Sequence, residues 1–233
     1  PAPLRGVFRI RASADSKHPA EMQAWFGMNA AQLAARGVKP GLSVTNFKQG
    51  LRLGRSRYTA RALDDRAGTT ALVRALHRID PSRIRARVIF AWSVEEETGL
   101  IGAAAMAEEF GRETTRIYSV DTFVSSDTPL ESPHFAYAPL GRGPVFRAIE
   151  SSGVSPDEER DRVRRIAEEA GIPLQLGLTQ GGTDGTMFTF AGAPNQGLSW
   201  PGRYSHSPGE VLDLRDLDAL TRLIVVVATA ERD

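Results

Sequence analysis

Val88-Ile-Phe-Ala-Trp-Ser-Val94 is an apolar run, and three carboxylates follow it directly at Glu95, Glu96 and Glu97. The run predicts a buried strand over residues 86–94. Successive side chains at a strand end point to opposite faces, so one glutamate can bind a metal ion while its neighbour stays free to transfer protons. Three adjacent carboxylates beside a buried strand are costly to pack without a cation. The alternative is a charged run on a solvated surface.

The sequence on both sides of this run alternates between helical and strand patterns. Helices are predicted over residues 68–79, 101–110, 156–170 and 216–230, and strands over residues 116–120, 145–149 and 174–178. This alternation predicts an α/β domain over residues 59–233, in which helices cover a mixed or parallel sheet. Active sites of such sheets lie at strand ends, which is where the three glutamates fall.

Residues 1–58 follow a different pattern, with short apolar runs between Gly and Pro turns. One helix is predicted over residues 30–36, where Asn29 can cap its start and Gly37 can end it. The apolar run over residues 22–28 fits either a strand or an extension of that helix. Strands are predicted over residues 7–11, 42–47 and 51–53. These runs together predict a small β-rich unit.

Composition limits the partners that this chain can bind. Its 233 residues carry 29 basic and 28 acidic side chains, so the net charge of +1 gives no field for nucleic acid or an anionic membrane. The most apolar stretch, residues 223–230, is far too short to span a bilayer. Without cysteine, a bound metal must use oxygen and imidazole ligands, and the cytoplasm is the expected compartment.

Three further segments carry side chains that suit metal ligands. Asp64 is the candidate for the carboxylate that two neighbouring ions share, because it lies in Ala62-Leu-Asp-Asp-Arg-Ala-Gly68 between a predicted strand and a helix. Asp121 closes the strand predicted up to Val120. His206 lies in a Pro- and Gly-flanked loop that offers no apolar face for a core histidine. Taken alone, each has a plainer interpretation as a helix cap, a turn residue or a surface histidine.

Gly181-Gly182-Thr183-Asp184 is a fourth segment with a chemical interpretation. The two glycines allow close approach of the backbone to a substrate, and Thr183 and Asp184 can open a helix. As a phosphate-binding loop the segment is weak, because it lacks the lysine that such loops carry. A capped turn is the alternative.

These segments, in this order, resemble the glutamyl and deblocking aminopeptidase family of dinuclear metallopeptidases, which includes the tetrahedral-shell aminopeptidases. The resemblance runs from about Gly37 to near the carboxyl end. It is carried by the segments Ala62–Gly68, Val94–Ala103, Val120-Asp121 with Ser126-Asp127-Thr128-Pro129, Gly181–Asp184, and Arg203-Tyr-Ser-His-Ser-Pro208.

The resemblance implies a role for each matching residue. Asp64 would bridge two divalent ions, zinc or cobalt, with Glu97 and His206 on one ion and Asp121 on the other. Glu96 would be the general base of peptide hydrolysis. The substrate would lie against Gly181, Gly182, Thr183 and Arg203, although Arg203, like Arg142 and Lys48, has the alternative of a structural cation.

The resemblance also implies an architecture and an assembly. A zinc-exopeptidase-like catalytic domain would carry an inserted β-rich dimerisation domain, and residues 1–58 would be the later part of that insert. Peptides would be the substrates. The chain would form a dimer-based homo-oligomer, up to a dodecameric shell.

One element of the family pattern is missing from the sequence. Family members supply a further ligand as His-x-Asp before the insert, and none of His18, His77, His134 and His206 is followed in that way. We expect the sequence to begin partway through a longer polypeptide. Two alternatives are a non-catalytic peptide-binding or shell-forming relative, and an unrelated α/β domain whose carboxylates are caps and solvated charges.

Overall fold

The structure, a computed structural model, describes residues 3–10, 22–47, 49–129, 131–133 and 135–230. The chain divides into two compact units, Pro1–Gln49 and Gly50–Asp233. From the sequence the change is expected near residue 58, whereas the two units divide after Gln49, because residues 51–53 form a strand that pairs with residues 57–59 of the second unit. The dimerisation role of the first unit stays a prediction.

The first unit contains a two-stranded ribbon and a short helix. Strand β1 (Val7–Ile10) pairs antiparallel with β2 (Met22–Trp25), and helix α1 spans Ala30–Ala35. Asn29 caps α1 through a reciprocal pair of hydrogen bonds with Gln32, each 2.9 Å long, as the sequence predicted for Asn29. The strand predicted over residues 42–47 is wrong, and its apolar side chains are exposed.

The second unit is a mixed sheet covered by helices, which confirms the predicted fold class. The strands are β3 (Leu51–Leu53), β4 (Arg57–Ala60), β5 (Ile117–Val124), β6 (Val145–Glu150), β7 (Gly153–Val154), β8 (Gln175–Leu178), β9 (Asn195–Arg203) and β10 (Glu210–Asp213). Strand β9 lies at the centre of the sheet, because it pairs with all of β5 through residues 195–202 on one side, and with β6 and β10 on the other. The β5 pairing is parallel and the other two are antiparallel.

The helices of this unit follow the sequence prediction closely. They are α2 (Leu63–Arg78), α3 (Ile101–Phe110), α4 (Asp157–Glu169), α5 (Thr186–Thr189) and α6 (Leu214–Thr229). Helices α2, α4 and α6 bury their apolar sides against Phe146, Leu198 and Trp200 of the sheet, all 1% exposed or less. Burial of each such side chain contributes about 2 kcal/mol to the stability of the fold. No helix among the described residues has the length and apolarity that crossing a membrane requires.

One face of β9 is apolar and the other is polar, and the polar face lies next to the residues of the candidate site. Leu198 and Trp200 point into the apolar core. Asn195 and Ser199 point to the opposite face, where Asn195 bonds Ser119 and Ser199 accepts from Arg147. Gly197 lies between them, and a Cβ there would meet the Arg147 side chain at 2.6 Å. One face of the central strand therefore carries a polar layer that leads to Asp121.

In the second unit, one predicted strand is absent and the central strand was not predicted. Residues 86–94 are not a strand, since no strand of the described residues pairs with them, and Ile89, Trp92 and Val94 are between 42% and 67% exposed. Strand β9 was missed because Gly197, Pro201 and Gly202 are typical of loops. Its parallel pairing with β5 tolerates all three, with Pro201 lying opposite Phe123.

The carboxylate of Asp213 anchors the start of α6. It is fully buried and accepts hydrogen bonds from Ser56 Oγ at 2.9 Å and Arg215 Nη2 at 2.8 Å, and it lies 3.2 Å from Arg57 Nε. Burial alone would raise the pKa of Asp213. The hydrogen bonds from Arg215 and Ser56, with the charge of Arg215, outweigh burial and lower the pKa of Asp213 to about 2.

Replacing Asp213 by Asn is expected to lower the free energy of unfolding by about 2 kcal/mol at pH 7. Because the pKa of Asp213 is about 2 folded and about 3.9 unfolded, this stabilisation is complete above the unfolded value. It disappears as the pH falls through the folded value. Urea unfolding of both proteins between pH 7 and pH 2 measures the difference. Asp218→Asn, which breaks an exposed pair with Arg74, should cost less than about 1 kcal/mol. An Asp213 effect that is independent of pH would contradict this account.

Candidate metal centre

Asp64 lies at the meeting point of two groups of potential ligands. Ligand atoms of Asp64, Glu97 and His206 all lie within 4.8 Å of one another, and so do those of Asp64, Asp65 and Asp121. The structure thus brings together the four side chains that are expected from the sequence to be ligands, and it adds Asp65, which is not among them.

The segment that carries Asp64 differs from the expected strand end. Strand β4 ends at Ala60, and Asp64 and Asp65 have non-helical backbone angles at the start of α2, joined by a cis peptide bond. Asp65 accepts from Trp200 Nε1 at 2.6 Å and from the Gly68 amide at 3.0 Å. The helix-cap interpretation therefore applies to Asp65. The Asp64 carboxylate accepts from Ser205 Oγ at 2.5 Å and has only 8% of its surface exposed.

His206 and Glu97 form the open side of the cluster. His206 Nε2 lies 3.2 Å from Glu97 Oε2 and 3.4 Å from Asp64 Oδ2, and its side chain is 71% exposed. Burial and then the negative charge of Asp64 raise the pKa of Glu97, while His206 opposes them. This side of the cluster is open to a ligand from solvent.

Asp121 and Asp65 form the buried side. Asp121 lies in the middle of β5, not at its end as the sequence predicted. Burial raises the pKa of Asp121 to about 8, opposed by Arg147 at 3.2 Å and reinforced by Asp64 and Glu96. Burial, with the charge of Asp121, also raises the pKa of Asp65 well above its usual range. Buried carboxylates this close together need positive charge to ionise.

The donor set fits a divalent cation. Carboxylate oxygens and an imidazole nitrogen are the ligands that zinc-type ions take. Among the described residues, Arg147 is the arginine or lysine that forms an ion pair with these carboxylates, and His206 adds a positive charge only when it is protonated. Even two positive charges cannot balance Asp64, Asp65, Asp121, Glu96 and Glu97 together. A bound metal would supply the missing charge.

Glu96 lies beside the ligands without belonging to either group. It is half-buried, and burial, followed by the charges of Glu97, Asp184 and Asp64, raises its pKa to about 6. The chain turns at these glutamates, with a positive φ of 57° at Glu95 and the Glu96 carbonyl accepting from the Gly99 and Leu100 amides. Glu97 joins a ligand group from this turn and Glu96 does not. The strand alternation expected from the sequence is therefore not what distinguishes the two side chains.

The four residues expected to contact substrate have different environments. Gly181 is exposed and Gly182 half-buried, so their backbone is accessible. The Thr183 side chain is fully buried and bonds Glu150 and Asn195, which fixes the loop from within. Arg203 donates to Asp127 Oδ2 at 2.7 Å, and its contact with substrate stays a prediction.

A mixed α/β sheet that gathers carboxylates and one imidazole around a shared aspartate presents the kind of donor set that metallohydrolases use. The comparison with known families defines the chain more narrowly. The chain belongs to the M42 glutamyl aminopeptidase family, whose model matches residues 10–223.

Individual relatives agree with this assignment. The lysyl aminopeptidase of Pyrococcus furiosus is 30% identical over 178 residues, which are 74% of this chain and 48% of that protein. The aminopeptidase APDkam598 of Desulfurococcus kamchatkensis superposes with a TM-score of 0.87 and 26% identity, over 97% of this chain and 65% of that one. The Pyrococcus horikoshii TET1 peptidase, described as assembling into a tetrahedron or a large octahedral shell, superposes with a TM-score of 0.81 and 32% identity. The match covers 96% of this chain and 66% of that one. The chain spans about half the length of the curated relatives that it matches.

Proposed function

We propose that this chain carries the catalytic machinery of a metal-dependent aminopeptidase, which removes single residues from the amino ends of peptides. The observation that supports this most strongly is the position of Asp64 in both ligand groups. A carboxylate shared between two groups is what a pair of neighbouring ions requires. Membership of the M42 family supports the same reaction.

The ligands divide into two sets around Asp64. Glu97 and His206 would hold one ion at the open side, and Asp121 would hold the other at the buried side, with Asp65 close to it. Zinc and cobalt suit this oxygen and nitrogen donor set. When bound, such ions polarise a carbonyl oxygen and make a water molecule acidic enough to attack at neutral pH.

The chain's own residues would handle the proton and the peptide. Glu96, with its pKa raised to about 6, would accept the proton of the attacking water and pass it to the departing amine. The backbone of Gly181 and Gly182 would approach the peptide, while Thr183 holds that loop from the buried side. The acidic surroundings of the site would favour the positively charged amino terminus of a peptide.

The assemblies described for solved relatives suggest that the partner of this chain is another copy of itself. One solved relative is described as a dodecamer, and the TET1 peptidase as a tetrahedron or an octahedral shell. We propose that this chain also forms a homo-oligomer, with cytoplasmic peptides as substrates.

A second candidate function, that of a non-catalytic peptide-binding relative, is favoured by one observation. Within the described residues, the buried ligand group consists of aspartates alone and has no histidine.

Metal removal and restoration separates these two functions. The chain stripped with a chelator should not hydrolyse amino-acid anilides, and Zn²⁺ or Co²⁺ should restore hydrolysis. A panel of anilides would identify the preferred amino-terminal residue. Tight peptide binding without turnover in the presence of metal would instead support the non-catalytic function.

A further inference from the structure

The carboxylate of Glu210 connects the two segments that carry Asp64 and His206. Glu210 begins β10 and is 3% exposed. Its Oε2 accepts from the Leu63 amide and from the Asp64 amide at 3.1 Å. Its Oε1 accepts from the His206 amide at 3.2 Å. One buried side chain therefore satisfies three backbone N–H groups from two separate segments.

Both segments have backbone conformations that need support. Ala62 has a φ of 51°, Tyr204 of 61° and His206 of 58°, in the left-handed region that is costly for residues other than glycine. Such conformations persist where surrounding contacts fix them. Glu210 supplies those contacts next to Ala62 and at His206 itself. The Ser205 hydroxyl, which bonds Asp64 Oδ2, joins the same two segments a second time.

The neighbouring strands explain why one glutamate can reach both segments. Glu210 pairs with Ala60 at the end of β4, directly before the turn that leads to Leu63 and Asp64. His206 lies four residues before Glu210, in the loop that joins β9 to β10. The carboxylate thus lies between the two segments, with an oxygen for each.

We propose that Glu210 is a positioning residue, which sets the distance between the Asp64 and His206 ligands and thereby the shape of the metal site. The inference rests on the proposed metal-dependent function. A carboxamide cannot replace the carboxylate, because a glutamine has one acceptor oxygen and its NH₂ group would face an N–H donor. Removing this support should loosen one of the two segments.

Glu210→Gln tests the proposal in two ways. Hydrogen–deuterium exchange of the metal-free chain should be at least tenfold faster in residues 62–64, in residues 204–207 or in both. The affinity for Zn²⁺, measured by competition with a chelator, should fall by about tenfold to hundredfold, as is typical when the partner of a ligand segment is lost. If Glu210→Gln does not fold, Glu210→Asp keeps the charge but is one methylene too short to reach both segments.

Asp216→Asn is the matched control. Asp216 is 1% exposed and also accepts two backbone amides, those of Gly141 at 2.6 Å and Gly143 at 2.8 Å, in a different loop. The control should speed exchange around residues 141–143 and leave Zn²⁺ affinity unchanged. Unchanged exchange at both ligand segments in Glu210→Gln would overturn the proposal, and so would an equal loss of affinity in Asp216→Asn. A wild-type chain without metal affinity would contradict the proposed function, and the exchange experiment would still decide the role of Glu210.

Discussion

Glu96→Gln is expected to lower the turnover of an amino-acid anilide by about a hundredfold to ten-thousandfold, the usual contribution of a general base. A glutamine has the same size but cannot accept the proton of the attacking water. Because Glu96 belongs to neither ligand group, the variant should bind as much metal as the wild-type chain. Steady-state kinetics with elemental analysis of the same protein sample measures both quantities.

Glu95→Gln is the matched control for this experiment. Glu95 precedes Glu96, carries the same charge and is exposed. Its removal should leave turnover within about twofold of wild type, because a solvated charge outside the ligand groups contributes little to the site. Loss of metal in Glu96→Gln would show that Glu96 is a ligand and would contradict the role proposed here.

Asp64→Asn is expected to remove both metal ions and all measurable activity. Asp64 is the residue that the two ligand groups share, so its loss weakens both positions at once. An amide oxygen is neutral and cannot balance two cations. Equilibrium dialysis against Zn²⁺ or Co²⁺, followed by elemental analysis, gives the number of ions bound per chain.

Variants of the other ligands provide the comparison for Asp64. Glu97→Gln should weaken the open-side ion and Asp121→Asn the buried-side ion, each leaving the other position occupied. Near-ultraviolet circular dichroism of the metal-free proteins would establish that the fold is intact. If Asp64→Asn keeps one tightly bound ion, Asp64 does not bridge the two positions.

The sequence predicted the helices well because their signals are local. Helix α3 spans the predicted residues 101–110, and Asn29 caps α1 through the side chain that the sequence pointed to. Strands depend on neighbours that a sequence pattern does not identify. The apolar run at residues 86–94 has no pairing strand among the described residues, while β9, with Pro201 in it, is held by strands on both sides.

In the candidate site, too, residues in recognisable local segments could be predicted from the sequence, and residues that act through tertiary contacts could not. Asp64, Glu97, Asp121 and His206 could be proposed because each lies in a segment with a recognisable order of residues. Asp65, Arg147 and Glu210 could not be assigned roles, because their importance arises from tertiary contacts. Arg147 is an arginine within a strand pattern, and it becomes significant only when the fold places it 3.2 Å from Asp121. Glu210 reads as an ordinary glutamate until the fold buries it against three amides.

Anomalous diffraction from crystals grown with Zn²⁺ would test the central claim most directly, namely that Asp64 is the shared ligand of a pair of metal ions. The account predicts two anomalous peaks that flank the Asp64 carboxylate, one beside Glu97 and His206 and the other beside Asp121, with Glu96 bound to neither. A single peak away from Asp64, or the absence of any peak in the cluster at saturating Zn²⁺, would contradict it.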